Sequence, residues 1–277
     1  MGDRAKTRAP HPAVRVLLLL TLALSALACA AETDLGEAGS TGSATSVRDD
    51  ASEPDPTSST STTTTSTTTT TTPFPLTPVT PLPTGVAVPV LSKVPTDDRV
   101  IFLTIDDGSV RDPRVPELIE LHRIPVAVFV NESVFREDPA YFLRVASQGG
   151  SVNSHTRTHK DLRKLSASAQ RHEICGMRDV IGEHVLAPGH LFRAPFGVHN
   201  ATTQQVAGSC GINAILYWHA ALNNGQVQLQ QGRTLQSGDI VLSHFRPDLY
   251  DNIVALGAKA FAEGFRFAPI DAYLPLP

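Results

Sequence analysis

Residues 98–277 of this 277-residue chain predict an α/β domain, a parallel sheet or barrel with its helices outside. Three observations carry that prediction. Short β-rich runs alternate with helical segments through the whole region. Titratable residues gather where four of those runs end. The chain is 41% hydrophobic and 18% charged, which is enough apolar material for a packed core.

Taken in order, residues 100–105 (VIFLTI) read as a strand, and 115–122 as a helix with Leu118 and Leu121 on one face. Residues 126–130 (VAVFV) are strand-like and 138–148 helical. A strand near 151–153 leads into a helix over about 167–182, where Ile174, Met177 and Ile181 recur at helical spacing. A strand at 191–193, a helix ending near Cys210, and strands at 212–218 and 239–243 follow. A helix over 252–263 and a strand over 265–270 close the chain. No internal repeat is visible.

The residues before this domain have a different composition. Arg4, Lys6, Arg8 and Arg15 precede an apolar run over 16–31, shorter than the ~20 residues a membrane span needs. A basic start, an apolar run and small residues at its end describe a signal peptide, residues 1–29. Ala26-Leu27-Ala28-Cys29 resembles a lipobox, which would lipidate Cys29; ordinary cleavage after an A-x-A sequence is the alternative. Residues 30–97 read as a disordered linker. Every residue over 57–72 is Ser or Thr, and 73–89 is Pro-rich, so too little apolar surface is available to offset ordering. The same composition suits an O-glycosylated stalk. The expected location is the outer face of the membrane, or the medium if Cys29 is not acylated. A net charge of −4 argues against a nucleic-acid partner.

In parallel α/β folds, chemistry sits beyond the carboxyl ends of the strands. Asp106 and Asp107 follow the first strand, and His155 and His159 the strand near Val152. Arg193 ends a strand, and His244 follows IVLS. Two imidazoles four residues apart with a carboxylate can hold one divalent metal and leave positions open for water. Zinc bound in that way brings the pKa of its water toward about 7, and the second aspartate can take the proton. Zinc is the default, with cobalt or manganese also compatible.

These residues resemble the NodB-homology polysaccharide deacetylases, carbohydrate esterase family four. Thr104-Ile105-Asp106-Asp107-Gly108 matches the family's T-F-D-D-G, and His155-Thr156-Arg157-Thr158-His159 its H-[ST]-x-x-x-H. Arg193-Ala194-Pro195-Phe196-Gly197 matches R-x-P-[YF]-G, and Leu242-Ser243-His244 matches L-x-H. The resemblance implies a distorted (β/α) barrel and hydrolysis of acetyl groups from sugars. By the resemblance, Asp107, His155 and His159 hold the metal and Asp106 is the base. Arg193 orients Asp106, the Phe196 N–H stabilises the oxyanion, and His244 protonates the leaving amine. Pro195, Trp218 and Leu242 are expected to line the substrate pocket.

One stretch departs from the family. Where it often has W-D-x-D-x-x-D-W, this chain reads Trp218-His219-Ala220-Ala221-Leu222-Asn223-Asn224-Gly225. A carboxylate that supports the arginine or the acid is therefore missing, and His219 is expected to be a simple exposed histidine. With Cys29 assigned to the lipobox, Cys175 and Cys210 remain, and export permits a disulfide between two outer helices; two separate buried thiols are the alternative. The expected substrate is an N-acetylated glycan, peptidoglycan or chitin-like. An O-acetyl esterase and a non-catalytic glycan-binding protein are the competing readings.

Overall fold

The computed structural model describes residues 86–274. The expected signal peptide, Cys29 and the tether up to residue 85 lie outside the described residues.

Ten strands make one sheet. They are β1 (Val90–Leu91), β2 (Val100–Asp107), β3 (Val126–Val130), β4 (Ser151–Ser154) and β5 (Leu191–Phe192). β6 (Ala214–Leu216), β7 (Ala220–Asn223), β8 (Gln226–Leu229), β9 (Asp239–His244) and β10 (Arg266–Phe267) complete it. The order is β1-β6-β5-β4-β3-β2-β9-β7-β8, with β10 beside the start of β2. Pairing is parallel throughout except for the β7–β8 hairpin. Parallel strands twist, and this sheet curls into the distorted half-barrel that the resemblance implied.

Period-two alternation divides the strand side chains between two faces. Val100 and Phe102 of β2, Ala127 and Phe129 of β3, and Leu216 and Ile240 belong to an inner cluster without α-helical members. Ile101, Leu103, Ile105, Val126, Val128 and Val130 point the other way. They meet apolar faces of α1 (Arg114–His122), α3 (Pro139–Val145), α4 (Ala167–Gly182) and α6 (Leu249–Ala262). α2 (Glu132–Glu137) is short, and α5 (Ala201–Ser209) packs Val206 and Ala207 against Ile174 of α4. Helix starts are set by capping: Ser166 accepts from Ala169 N–H, and Asn200 with Thr203 forms a reciprocal capping box.

Three expectations need correction. Residues 86–97, assigned to the tether, are packed on the domain: Val88 and Val94 are buried and β1 pairs with β6. Spaced valines in a Pro-rich context still supply one short edge strand. The β7–β8 hairpin was not expected. It turns at Asn224 (φ 51°) and Gly225 (φ 68°), the positive-φ pair that a tight two-residue hairpin requires. The last strand is only two residues long, and a 3₁₀ turn over Ile270–Ala272 replaces its second half. Cys175 and Cys210 are joined in a disulfide across α4 and the end of α5.

Candidate active site

Asp106 and Asp107 are the last two residues of β2, and consecutive strand residues face opposite ways. Asp106 turns inward with Thr104 and is almost fully buried. Arg193, immediately after β5 and 1% exposed, meets it there: one Nη1 donates to Asp106 Oδ1 at 2.9 Å and to Thr104 Oγ1 at 2.8 Å. The rest of the guanidinium donates to the carbonyls of Leu216 and Tyr217, both at 3.1 Å, and its plane lies over Phe129. Every edge of the fork is used, so the charge is buried without being stranded. Asp106 Oδ2 has no hydrogen-bond partner among the described residues and is the free atom of the pair.

Asp107 has φ 79°, a left-handed conformation, and this backbone reversal carries its carboxylate toward His155 and His159. Gly108 follows at φ 121°, where a Cβ would lie 2.8 Å from Phe142 and Val134. His155 is buried, and its Nδ1 lies 2.7 Å from the Arg193 carbonyl. A carbonyl only accepts, so Nδ1 is the protonated nitrogen and the Nε2 lone pair is free. Burial pushes the His155 pKa down, against the opposing pull of Asp106 and Asp107. Nε2 of His155 and Nε2 of His159 each lie 3.6 Å from Asp107 Oδ1. That is too long for a hydrogen bond. Two ligands ~2.1 Å from a tetrahedral zinc are separated by about 3.4 Å. The three donor atoms all lie within 4.8 Å of one another. The donor set and its spacing fit a divalent metal.

The loop over 155–159 is held by residues that sequence reasoning did not single out. Asn131, directly after β3, donates from its amide to the carbonyls of His155 (2.7 Å) and Thr156 (3.1 Å). Glu173 of α4 accepts from the Thr158 N–H at 2.8 Å and hydroxyl at 2.5 Å. Glu132 binds Arg157, which holds its carboxyl at about 2. Thr156 (φ 70°) and His159 (φ 54°) are also left-handed, so the anchors hold strained backbone in place. In sequence Asn131 reads as one polar residue after the strand VAVFV and Glu173 as one of several polar residues of α4, so neither stands out.

Asp106, Asp107, His155, His159, Phe196, Trp218, Leu242, His244 and Arg246 line one cavity of about 210 Å³. Phe196 (φ 59°) projects into solvent and sets its ring edge on His159, with centroids 4.7 Å apart. Its N–H donates to no group among the described residues, whereas its neighbours Gly197 and Val198 do donate. Gly197 is a positional requirement, because a Cβ there would lie 3.0 Å from Trp218. Pro195, expected in the pocket, is buried beneath it; Ala194 and Gly197 line the cavity instead. A 3₁₀ turn tucks the pyrrolidine under the backbone that it fixes.

His244 ends β9, and burial lowers its pKa while Asp106 and Asp107 oppose the shift. Neither ring nitrogen has a hydrogen-bond partner among the described residues, in keeping with the missing carboxylate. His219 is not exposed: it is 8% accessible, and Nδ1 stands 3.0 Å from the buried Asp239. It stands in the segment between β6 and β7 and, unlike its neighbour Trp218, does not line the cleft.

Residues 93–215 match the polysaccharide deacetylase family. An uncharacterised protein of Streptomyces coelicolor is 41% identical over 157 residues, 55% of this chain and 62% of that protein. The chain thus spans about three fifths of that relative. A Bacillus cereus peptidoglycan-N-acetylglucosamine deacetylase is 26% identical over 69% of this chain and 94% of its own. Among solved structures, a family-four carbohydrate esterase pseudoenzyme from Bacillus anthracis superposes with a TM-score of 0.62, at 18% identity, covering 69% of this chain and 70% of that one. At that identity the likeness is one of fold.

Proposed function

Because residues 93–215 match the polysaccharide deacetylase family, we propose that this chain is a metal-dependent hydrolase that removes acetyl groups from an N-acetylated glycan. One observation carries the proposal: a single backbone step divides two adjacent aspartates between Arg193 and the two imidazoles. A binding protein has no need of both.

Asp107, His155 and His159 would hold the metal, which when bound supplies Lewis acidity toward the acetyl carbonyl and acidifies the attacking water. Asp106 Oδ2 takes the proton from that water, while Oδ1 stays fixed on Arg193. The Phe196 N–H donates to the developing oxyanion, a contribution commonly of ~3 kcal/mol. His244 gives a proton to the leaving nitrogen, and its burial makes the protonated form a readier donor. Trp218 and Leu242 wall the site.

The substrate we assign is peptidoglycan or a chitin-like glycan, in line with the Bacillus cereus relative, a peptidoglycan-N-acetylglucosamine deacetylase. Export by residues 1–29 and acylation of Cys29 would place the domain on the outer membrane face, on a tether long enough to reach wall glycan. Acetate release from peptidoglycan strands, chitooligosaccharides and acetylxylan tests this. Release from either N-acetylated glycan supports amide hydrolysis, and release from acetylxylan alone would make the protein an esterase. A second reading, glycan binding without turnover, is favoured by the unsupported His244; binding without acetate release from any substrate would establish it.

A further inference from the structure

Apart from the cleft, a groove of about 520 Å³ opens between α1 and α6. Both helices start near the catalytic rim and run back to the other end of the sheet, and β10, which borders the groove, pairs with the first residues of β2. The groove therefore lies at the base of the domain. Leu118 of α1, Ile253, Val254 and Phe261 of α6, and Phe265 and Phe267 line it. Val254 and Phe261 are exposed, as is Leu121, one helical turn from Leu118. Exposed apolar side chains gathered in this way mark an interaction site. Gly257, in the middle of α6, also lines the groove. An added Cβ there would meet nothing within 4 Å beyond its own helix. The fold thus has no need of glycine at this point, although glycine weakens a helix interior. What the missing side chain provides is depth.

The polar lining has one sign. His122, Arg123 and Arg266 border the groove, and no carboxylate does. Among the described residues the Arg123 side chain makes no ion pair and no hydrogen bond, and it is exposed. Arg266 uses Nη2 alone, toward Tyr273 Oη at 3.1 Å and Asp98 Oδ2 at 3.7 Å. Glu120 and Glu263, near the ends of the two helices, are already engaged with Arg144 and Lys259, both at 2.6 Å. An apolar trough bordered by guanidinium groups suits a molecule with an aliphatic chain and an anionic head, and guanidinium matches phosphate in particular. We propose that this groove binds an anionic phospholipid of a bilayer, with one acyl chain over Gly257 and the phosphate held by Arg123 and Arg266. The base of the domain then faces the lipid, and the cleft, at the opposite end, faces away from it. Neither acylation of Cys29 nor the deacetylase reading enters this inference.

The test uses vesicles of phosphatidylglycerol or phosphatidylcholine with brominated acyl chains, and the full chain carrying Cys29→Ser, which cannot be acylated there. Phe261→Trp puts a fluorophore at the groove, and its quenching by bromine reports contact with an acyl chain; Trp218, in the cleft, is the reference. Phosphatidylglycerol vesicles should quench Phe261→Trp and leave the emission of the parent chain unchanged. Phosphatidylcholine should bind at least about fivefold more weakly, the worth of one basic residue at an anionic surface. Arg123→Gln should weaken the phosphatidylglycerol affinity by about the same factor. Gly257→Leu should weaken it about tenfold or more by filling the trough, without lowering the melting temperature. A flat surface lying on the bilayer would instead bind more tightly with an added leucine. No quenching in Phe261→Trp, equal affinity for the two lipids, or unchanged affinity in Gly257→Leu would overturn the assignment. So would a lipid-free dimer that Gly257→Leu abolishes, which would give the groove to a second copy of the chain.

Discussion

Replacing Arg193 by Met should damage the fold as well as the chemistry, by an amount that the structure sets. The guanidinium is 1% exposed and makes five contacts: Asp106, Thr104, the Leu216 and Tyr217 carbonyls, and the Phe129 face. Methionine fills much of the volume but leaves a buried carboxylate without its cation. Breaking a buried pair from one side costs about 3–5 kcal/mol. With a urea slope of roughly 2–3 kcal/mol/M, the midpoint should drop by about 1.5 M. Removing both charges, as in Arg193→Met with Asp106→Leu, should recover a large part of that loss. The assay is urea unfolding followed by the fluorescence of Trp218, the only tryptophan in the chain and 5.9 Å from the Arg193 guanidinium. A single-variant loss below 1 kcal/mol, or a double variant weaker than the sum of the two single ones, would refute this account of the pair.

Other outcomes follow from the same structure. The Cys175–Cys210 bond closes a separation of 35 residues; the double serine variant should lose about 2–4 kcal/mol, and a melting temperature indifferent to reductant would contradict that. Glu132 is held at about 2 by Arg157 and Arg136, below the ordinary 4.5. Its contribution is therefore complete above pH 4.5 and is lost as pH falls toward 2. Glu132→Gln should be less stable than wild type by about 1 kcal/mol at pH 7, a partly screened surface value, and the gap should narrow on acidification in urea melts. Zinc at 100 times its dissociation constant should add about 2.7 kcal/mol to stability; Asp107→Ala or His159→Ala should abolish that increment in thermal melts.

How much of this was legible in the sequence depended on whether the signal was local. The outline of α4 was readable because Ile174, Met177 and Ile181 repeat on one face over two turns, and the structured helix spans Ala167–Gly182. The titratable residues converge because each stands at a strand's end, and strand ends share a rim in a parallel sheet. Contacts across sequence were not readable. Nothing in the order of residues tells that Asn131 holds the 155–159 loop from 24 residues away, or that Glu173 reaches Thr158 from a helix. His219 looked like surface because its partner, Asp239, is 20 positions on and joins it only through β7–β9 pairing. The hairpin was readable from Asn224-Gly225 but was obscured by reading that stretch as an altered family motif. The early start of the domain was hidden by proline, because a two-residue edge strand carries almost no periodicity.

The most direct measurement is acetate release during zinc titration of the metal-free protein, with bound zinc measured in the same samples, for the wild type and Asp106→Asn. The account predicts that wild-type release from N-acetylated glycan rises in proportion to zinc bound, toward one per chain. It also predicts that Asp106→Asn binds zinc equally and releases acetate at least 100-fold more slowly, as loss of a general base entails. Release independent of zinc, or an Asp106→Asn variant as fast as wild type, would contradict it.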